Sequence, residues 1–159
     1  MKKTVFFLMM VFALSISVPA FAAGKPTSSD MQILLEKIKA DKKLLVAGNM
    51  NLSDAEAGKF WPVYDAYQVE LDKLNKRVAA LIEAYADAYN NNALTDEKAS
   101  KMVSEMIAVD EAEAAMKKAF APKLYKVLPA VKVARYLQIE NKIRAAVKYE
   151  IASAVPLAK

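Results

Sequence analysis

The reactive side chains of this 159-residue chain are carboxylates, amines, phenols and thioethers; histidine and cysteine are absent. A nucleophile activated by imidazole cannot be built from it, nor a thiolate or imidazole metal site. The three glycines, at positions 24, 48 and 58, are too scattered for a phosphate-cradling loop. Asp110, Glu111 and Glu113 gather carboxylates that could do acid/base work or hold a hard cation. Carboxylate di-metal bundles, however, add Glu-x-x-His pairs, so the acids read as a solvated helical face. Met102 and Met106 form an i,i+4 thioether pair of the kind that suits Cu(I). The same spacing sets both on an apolar stripe, where methionine is ordinary filler. They are the metal candidates the chain offers, with core filling the preferred reading. No enzymatic activity and no cofactor are expected. At 100° per residue Lys132, Arg135 and Lys142 share one helical face, and Arg144 and Lys148 another, with Tyr125, Tyr136 and Tyr149 nearby. Such a surface could hold flexible polypeptide, lie peripherally against anionic lipid, or only keep the protein soluble. Nothing else in the sequence supports the lipid contact.

The N-terminus sets the compartment. Lys2 and Lys3 precede ten apolar residues, Val5 to Leu14, and Pro19 is followed by Ala20-Phe21-Ala22. That is the order of a secretory signal, cleaved near Ala22. An apolar run of ten is too short to span a bilayer core, which needs about 20 residues. Export to the periplasm is therefore expected, with residues 1–22 removed, 23–28 a polar lead-in and 29–156 one domain. Removing the signal takes away two lysines and no acid, so the formal charge falls from +5 to +3. That small excess, in that compartment, gives no case for nucleic-acid binding. An exported chain without cysteine must hold itself together by packing.

All recognisable elements are helical. Ser29 and Asp30 open a first helix with a stripe of Met31, Leu34, Leu35, Ile38 and Leu45, stopped by Gly48-Asn49. Leu52-Ser53-Asp54-Ala55-Glu56 is a capping box that starts a second helix running to about Tyr89. Along it Phe60, Tyr64, Tyr67, Leu71, Leu74, Val78, Leu81 and Tyr85 repeat every 3.5 residues, the period of a coiled-coil seam. Its aromatics, Trp61 included, read mainly as packing. Pro62, four residues after Gly58, predicts a bend there. Leu94-Thr95-Asp96-Glu97 begins a third helix, with Met102, Met106, Val109, Met116 and Phe120 on its apolar face. Pro122 and Pro129 then punctuate, and Leu128-Pro129 opens a last helix that ends near Pro156. Short connections predict antiparallel neighbours.

The helix starts "LSDAE", "LTDEK" and "LPAVK" share one shape. A small, all-helical, exported chain carrying them resembles the Spy/CpxP-like periplasmic superfamily and its LTXXQ motif. "LSDAEAGKFWPVYDAY" and "VLPAVKVARYLQIENKI" look like stretches characteristic of that group, and the resemblance covers most of residues 29–152. Glu56, Lys98 and Lys132 stand where the motif has Gln. The resemblance implies a long antiparallel helical hairpin with shorter flanking helices, about four in all, pairing into a thin curved homodimer. It also implies an envelope-stress or chaperone-like function: holding unfolded polypeptide on a helical surface without ATP. Phe60, Trp61, Tyr64, Lys132, Arg135 and Lys142 are the expected contact residues. The alternatives are a metal-responsive regulatory module that binds a sensor domain, and a structural coiled-coil adaptor.

Overall fold

A computed structural model of the protein describes residues 41–158. The expected signal sequence, the expected lead-in and the expected helix start at Ser29, with its stripe from Met31 to Ile38, lie outside the described residues. Those described form four helices and no strand: α1 over 41–50, α2 over Asp54–Asn90, α3 over Asp96–Tyr125 and α4 over Ala130–Ala154. The all-α class and the long hairpin of α2 and α3 agree with the sequence.

Local chemistry sets the ends. α1 runs through Gly48 and Asn49 and stops one step later than expected, at Asn51, whose φ of 47° takes the chain into the left-handed region. Asparagine tolerates that conformation because its short amide can bond locally. At the start of α2 the Ser53 hydroxyl accepts from the Glu56 amide at 3.4 Å, and the Glu56 carboxylate accepts from the Ser53 amide at 2.8 Å. This reciprocal capping box satisfies two otherwise orphaned N–H groups. α2 then runs through Pro62 unbroken, with the proline on an exposed position. Pro122 likewise lies inside α3, which reaches Tyr125, so it does not punctuate the chain as expected. The cost of a helical proline falls on one hydrogen bond and one carbonyl. Packing of the flanking Phe120 and Leu124, both buried, offsets it. Thr95 caps α3 through the Lys98 amide, as its sequence predicts. Pro129 stands just before α4 rather than inside it.

The helices alternate in direction, so α4 lies parallel to α2. Their register is marked by Lys132 against Glu56, Glu140 against Gln68, and Arg144 against Asn75. α3 runs antiparallel to both, with Arg77 on Glu105 and Arg144 on Glu113. α1 packs on α2 and α4 from another side, placing Lys43 on Asp65 and Lys42 on Gln68 and Glu140. The core gathers where all four meet. Phe60, Tyr67 and Tyr136 have 1 % exposure or none, and Val46 and Met50 close the core from α1. Tyr136 of α4 stands edge-on to Phe60 at 5.1 Å and to Tyr67 at 5.7 Å, and Tyr67 meets Phe120 of α3 at 5.3 Å. Tilted and edge-to-face rings add to the burial of their area.

The seam of α2 is therefore largely closed inside one chain. Phe60, Tyr64, Tyr67, Leu71 and Leu74 are buried within it, while Val78, Leu81 and Tyr85 are only half-buried. Phe60→Ala is expected to remove about 3–5 kcal/mol of unfolding free energy, the cost of emptying a closed aromatic site. Val103→Ala, on the half-exposed face of α3, is expected to change it by less than about 0.5 kcal/mol. Urea titration followed by far-UV circular dichroism reads both.

Candidate functional site

The sequence-predicted contact residues do not form one surface. Phe60 and Tyr64 are enclosed in the core, at 0 % and 3 % exposure. Trp61 is half-buried, 5.0 Å from the Phe60 ring and 5.2 Å from Tyr64, with the Lys43 ammonium 5.1 Å above it. Lys132 donates to the Asn51 carbonyl at 2.8 Å and to Glu56 at 2.6 Å, and Arg135 donates to the Asn49 carbonyl at 3.3 Å. Those two cations tie the α1–α2 turn to the start of α4. Lys142 is exposed, farther along α4. Of the helix-start residues, Leu128 is buried, Leu52 packs against the core, and Leu94 is half-buried beside the Thr95 cap.

The carboxylates do not all lie on a solvated face. Glu113 has 5 % exposure and accepts from Lys117 Nζ and Arg144 Nε, each at 2.7 Å. Burial by itself would raise its pKa, but the bonds from Lys117 and Arg144 outweigh that and hold the carboxyl below its usual range. Asp110 is exposed and pairs with Lys148 at 3.0 Å, and Glu111 is exposed. Glu140, at 4 % exposure, forms a second buried network. It accepts from Lys42 at 2.8 Å and from Gln68 Nε2 at 2.9 Å, and that amide also donates to the Tyr136 hydroxyl at 3.3 Å. Burial, and then the charge of Glu140, drives the Tyr136 phenol far above its ordinary pKa, so it stays neutral. Every buried side-chain polar atom among the described residues has a partner. Both networks tie neighbouring helices together. Among the described residues no group of three or more acids is placed to hold a metal ion.

What the described surface offers is at the other end. Beyond Leu74 the outer side of the α2–α3 hairpin opens into a groove of about 630 Å³. Leu81, Ala84, Ala88 and Met102 line it, and the Arg77–Glu105 ion pair at 2.8 Å crosses its lower edge. Met102 thus faces a groove, and Met106 is not on the core stripe: it is 52 % exposed. With Val103 and Ile107 it forms a half-exposed apolar strip on α3. The sequence hint was the i,i+4 run Ala80, Ala84, Ala88, which keeps the two backbones accessible beside the seam. The seam itself drew attention to the larger residues instead.

Comparison with protein-family models, with curated proteins and with solved structures gave no match to the chain. No helix among the described residues is long and apolar enough to cross a membrane.

Glu56 yields a pH prediction. The hydrogen bond from Lys132, then that from the Ser53 amide, lowers its pKa from 4.5 to about 2. A depressed carboxyl stabilises the fold above its unfolded value, and that stabilisation is lost as pH falls through the folded one. The tie between the α1–α2 turn and α4 should therefore hold at pH 4.5 and release as pH approaches about 2. Carbon-13 NMR of the Glu56 carboxyl should show a midpoint near 2, moving up toward the ordinary value in Lys132→Ala. An unchanged midpoint in that variant would remove Lys132 as the main cause.

Proposed function

We propose that the protein is an exported, non-enzymatic polypeptide-binding protein of the Spy/CpxP-like envelope-stress class. It holds unfolded chain without ATP in the groove between α2 and α3 and along the adjoining strip of α3. The observation that carries this reading is the half-exposed trio Val103, Met106 and Ile107 beside an open apolar groove, on a bundle whose base is closed. Small side chains on α2 let a segment approach the backbone, and methionines adapt to varied apolar partners. Charges at the rim, Arg77, Glu105 and Lys98, would keep the contact weak and salt-sensitive. This site differs from the contact set expected from sequence, of which Phe60 and Tyr64 are enclosed in the core and Trp61 is half-buried. A homodimer belongs to this reading only through Val78, Leu81, Tyr85 and the α3 strip, because the rest of the seam is occupied within the chain.

The test is light scattering of a chemically unfolded client, without ATP, with the protein purified from an exporting host. Suppression of aggregation is expected, weakening with added salt. Ala84→Glu combined with Ile107→Asp should lower potency at least about tenfold, a loss of roughly 1.4 kcal/mol in binding, at an unchanged melting temperature. No suppression with several unrelated clients, or full potency in the double variant, would overturn the reading. Capture of one partner at fixed stoichiometry in its place would identify the sensor-binding module.

A further inference from the structure

The end of the bundle away from the groove has a different character. Between Glu113 and Glu140 the chain carries no acid and six basic residues: Lys117, Lys118, Lys123, Lys126, Lys132 and Arg135. Three of these are engaged, Lys117 by Glu113, Lys132 by Glu56 and Arg135 by the Asn49 carbonyl. The other three, Lys118, Lys123 and Lys126, are exposed on the last turns of α3 and at its end; Lys123 lies 4.3 Å over the Phe120 ring, and among the described residues no carboxylate pairs with any of them. Among the described residues, Asp54, at the start of α2, is the acid left at this end once Glu56 is taken. α4 begins beside them with no acid in its first turn to offset the charge. Two large apolar side chains flank the α3–α4 turn in the open, Tyr125 at 57 % exposure and Val131 at 80 %.

We propose that this α3–α4 corner docks on the headgroups of an anionic phospholipid bilayer. The charge is complementary and the residue types suit the interface. Lysines reach phosphate through flexible stems, tyrosine favours the headgroup level, and an exposed valine adds apolar contact just below it. The site is a turn between two helices rather than a groove, so it offers an acidic peptide no cleft to lie in. The contact is peripheral and rests on several lysines near the surface together. From Met102 in the groove to Lys123 at the corner α3 spans about 30 Å at 1.5 Å per residue. A protein docked by this corner keeps its groove clear of the lipid, and the docking is independent of what the groove binds.

Vesicle co-sedimentation of the full exported chain tests it. Phosphatidylcholine vesicles are compared with vesicles in which one-third of the lipid is phosphatidylglycerol. Binding is expected only with the anionic lipid, and it should fall as salt is raised. Lys118→Gln with Lys126→Gln should weaken it about tenfold or more, whereas the matched pair Lys73→Gln with Lys76→Gln, on the middle of α2, should leave it within about twofold. Tyr125→Ser should weaken vesicle binding without altering retention on polyglutamate. These variants change exposed side chains, and circular dichroism checks that each remains folded. Equal loss in both lysine pairs, binding to neutral vesicles, or retention on polyglutamate without vesicle binding would each overturn the proposal, the last in favour of an acidic polypeptide.

Discussion

The rest of the structure depends on covering the seam of one long helix. α2 is 37 residues long and presents an apolar side chain every 3.5 residues from Phe60 onward. At its lower half three other helices converge on that stripe. Tyr136 enters from the parallel α4, Phe120 and Leu124 from α3, and Val46 and Met50 from α1. The aromatic contacts among Phe60, Tyr64, Tyr67, Phe120 and Tyr136 then fill the space that four converging helices leave. At the upper half the seam residues Val78, Leu81 and Tyr85 are only partly covered among the described residues. A closed base and an open tip follow from the same stripe.

Buried charge fixes the register in which the helices meet. A buried ion pair adds little net stability once desolvation is counted, yet breaking one leaves an uncompensated charge. Glu113 and Glu140 therefore act as positional markers. Glu113 requires the Arg144 turn of α4 beside α3, and Glu140 requires Gln68 and Lys42 at the same level. A slip of α4 by one turn would take Glu140 from Gln68 and Lys42 and Arg144 from Glu113, leaving Glu113 with Lys117 alone of its two 2.7 Å partners. Glu56 does the same job at the base, where its capping role and its pairing with Lys132 join a local signal to a tertiary one.

Much of this was legible in the sequence because it rests on local rules. The capping box at Ser53, the Thr95 cap and the period of the α2 seam each depend on residues within a turn or two of one another. Pro122 was misread because its effect is decided by the burial of Phe120 and Leu124, a tertiary matter. Glu113 was misread for a related reason: three acids in four residues look solvated until another helix brings up Arg144. Among the described residues Val46 and Met50 supply the α1 part of the core, although the pattern pointed to Leu45. The proposed contact site was the least legible feature. Aromatic residues drew the expectation to Phe60 and Tyr64, yet a surface for transient binding has to be made of what the core leaves uncovered. Here that means alanines, Met102, and the apolar residues of α3 that point away from the bundle.

Among the described residues the bundle is closed at one end by aromatic packing, while at the other α4 still follows the α2–α3 hairpin, with the Tyr85 hydroxyl donating to the Pro156 carbonyl at 2.8 Å, and the groove stays open. The proposed function requires an unfolded chain to meet the protein at the hairpin groove and not at the aromatic cluster or the basic corner. Site-specific photo-crosslinking tests that claim directly, with a benzophenone side chain placed in turn at positions 84, 103 and 134 and a denatured client added. Crosslinks from 84 and 103, with none from 134 on the exposed start of α4, are the predicted result. Crosslinks confined to 134, or equal at all three positions, would contradict it.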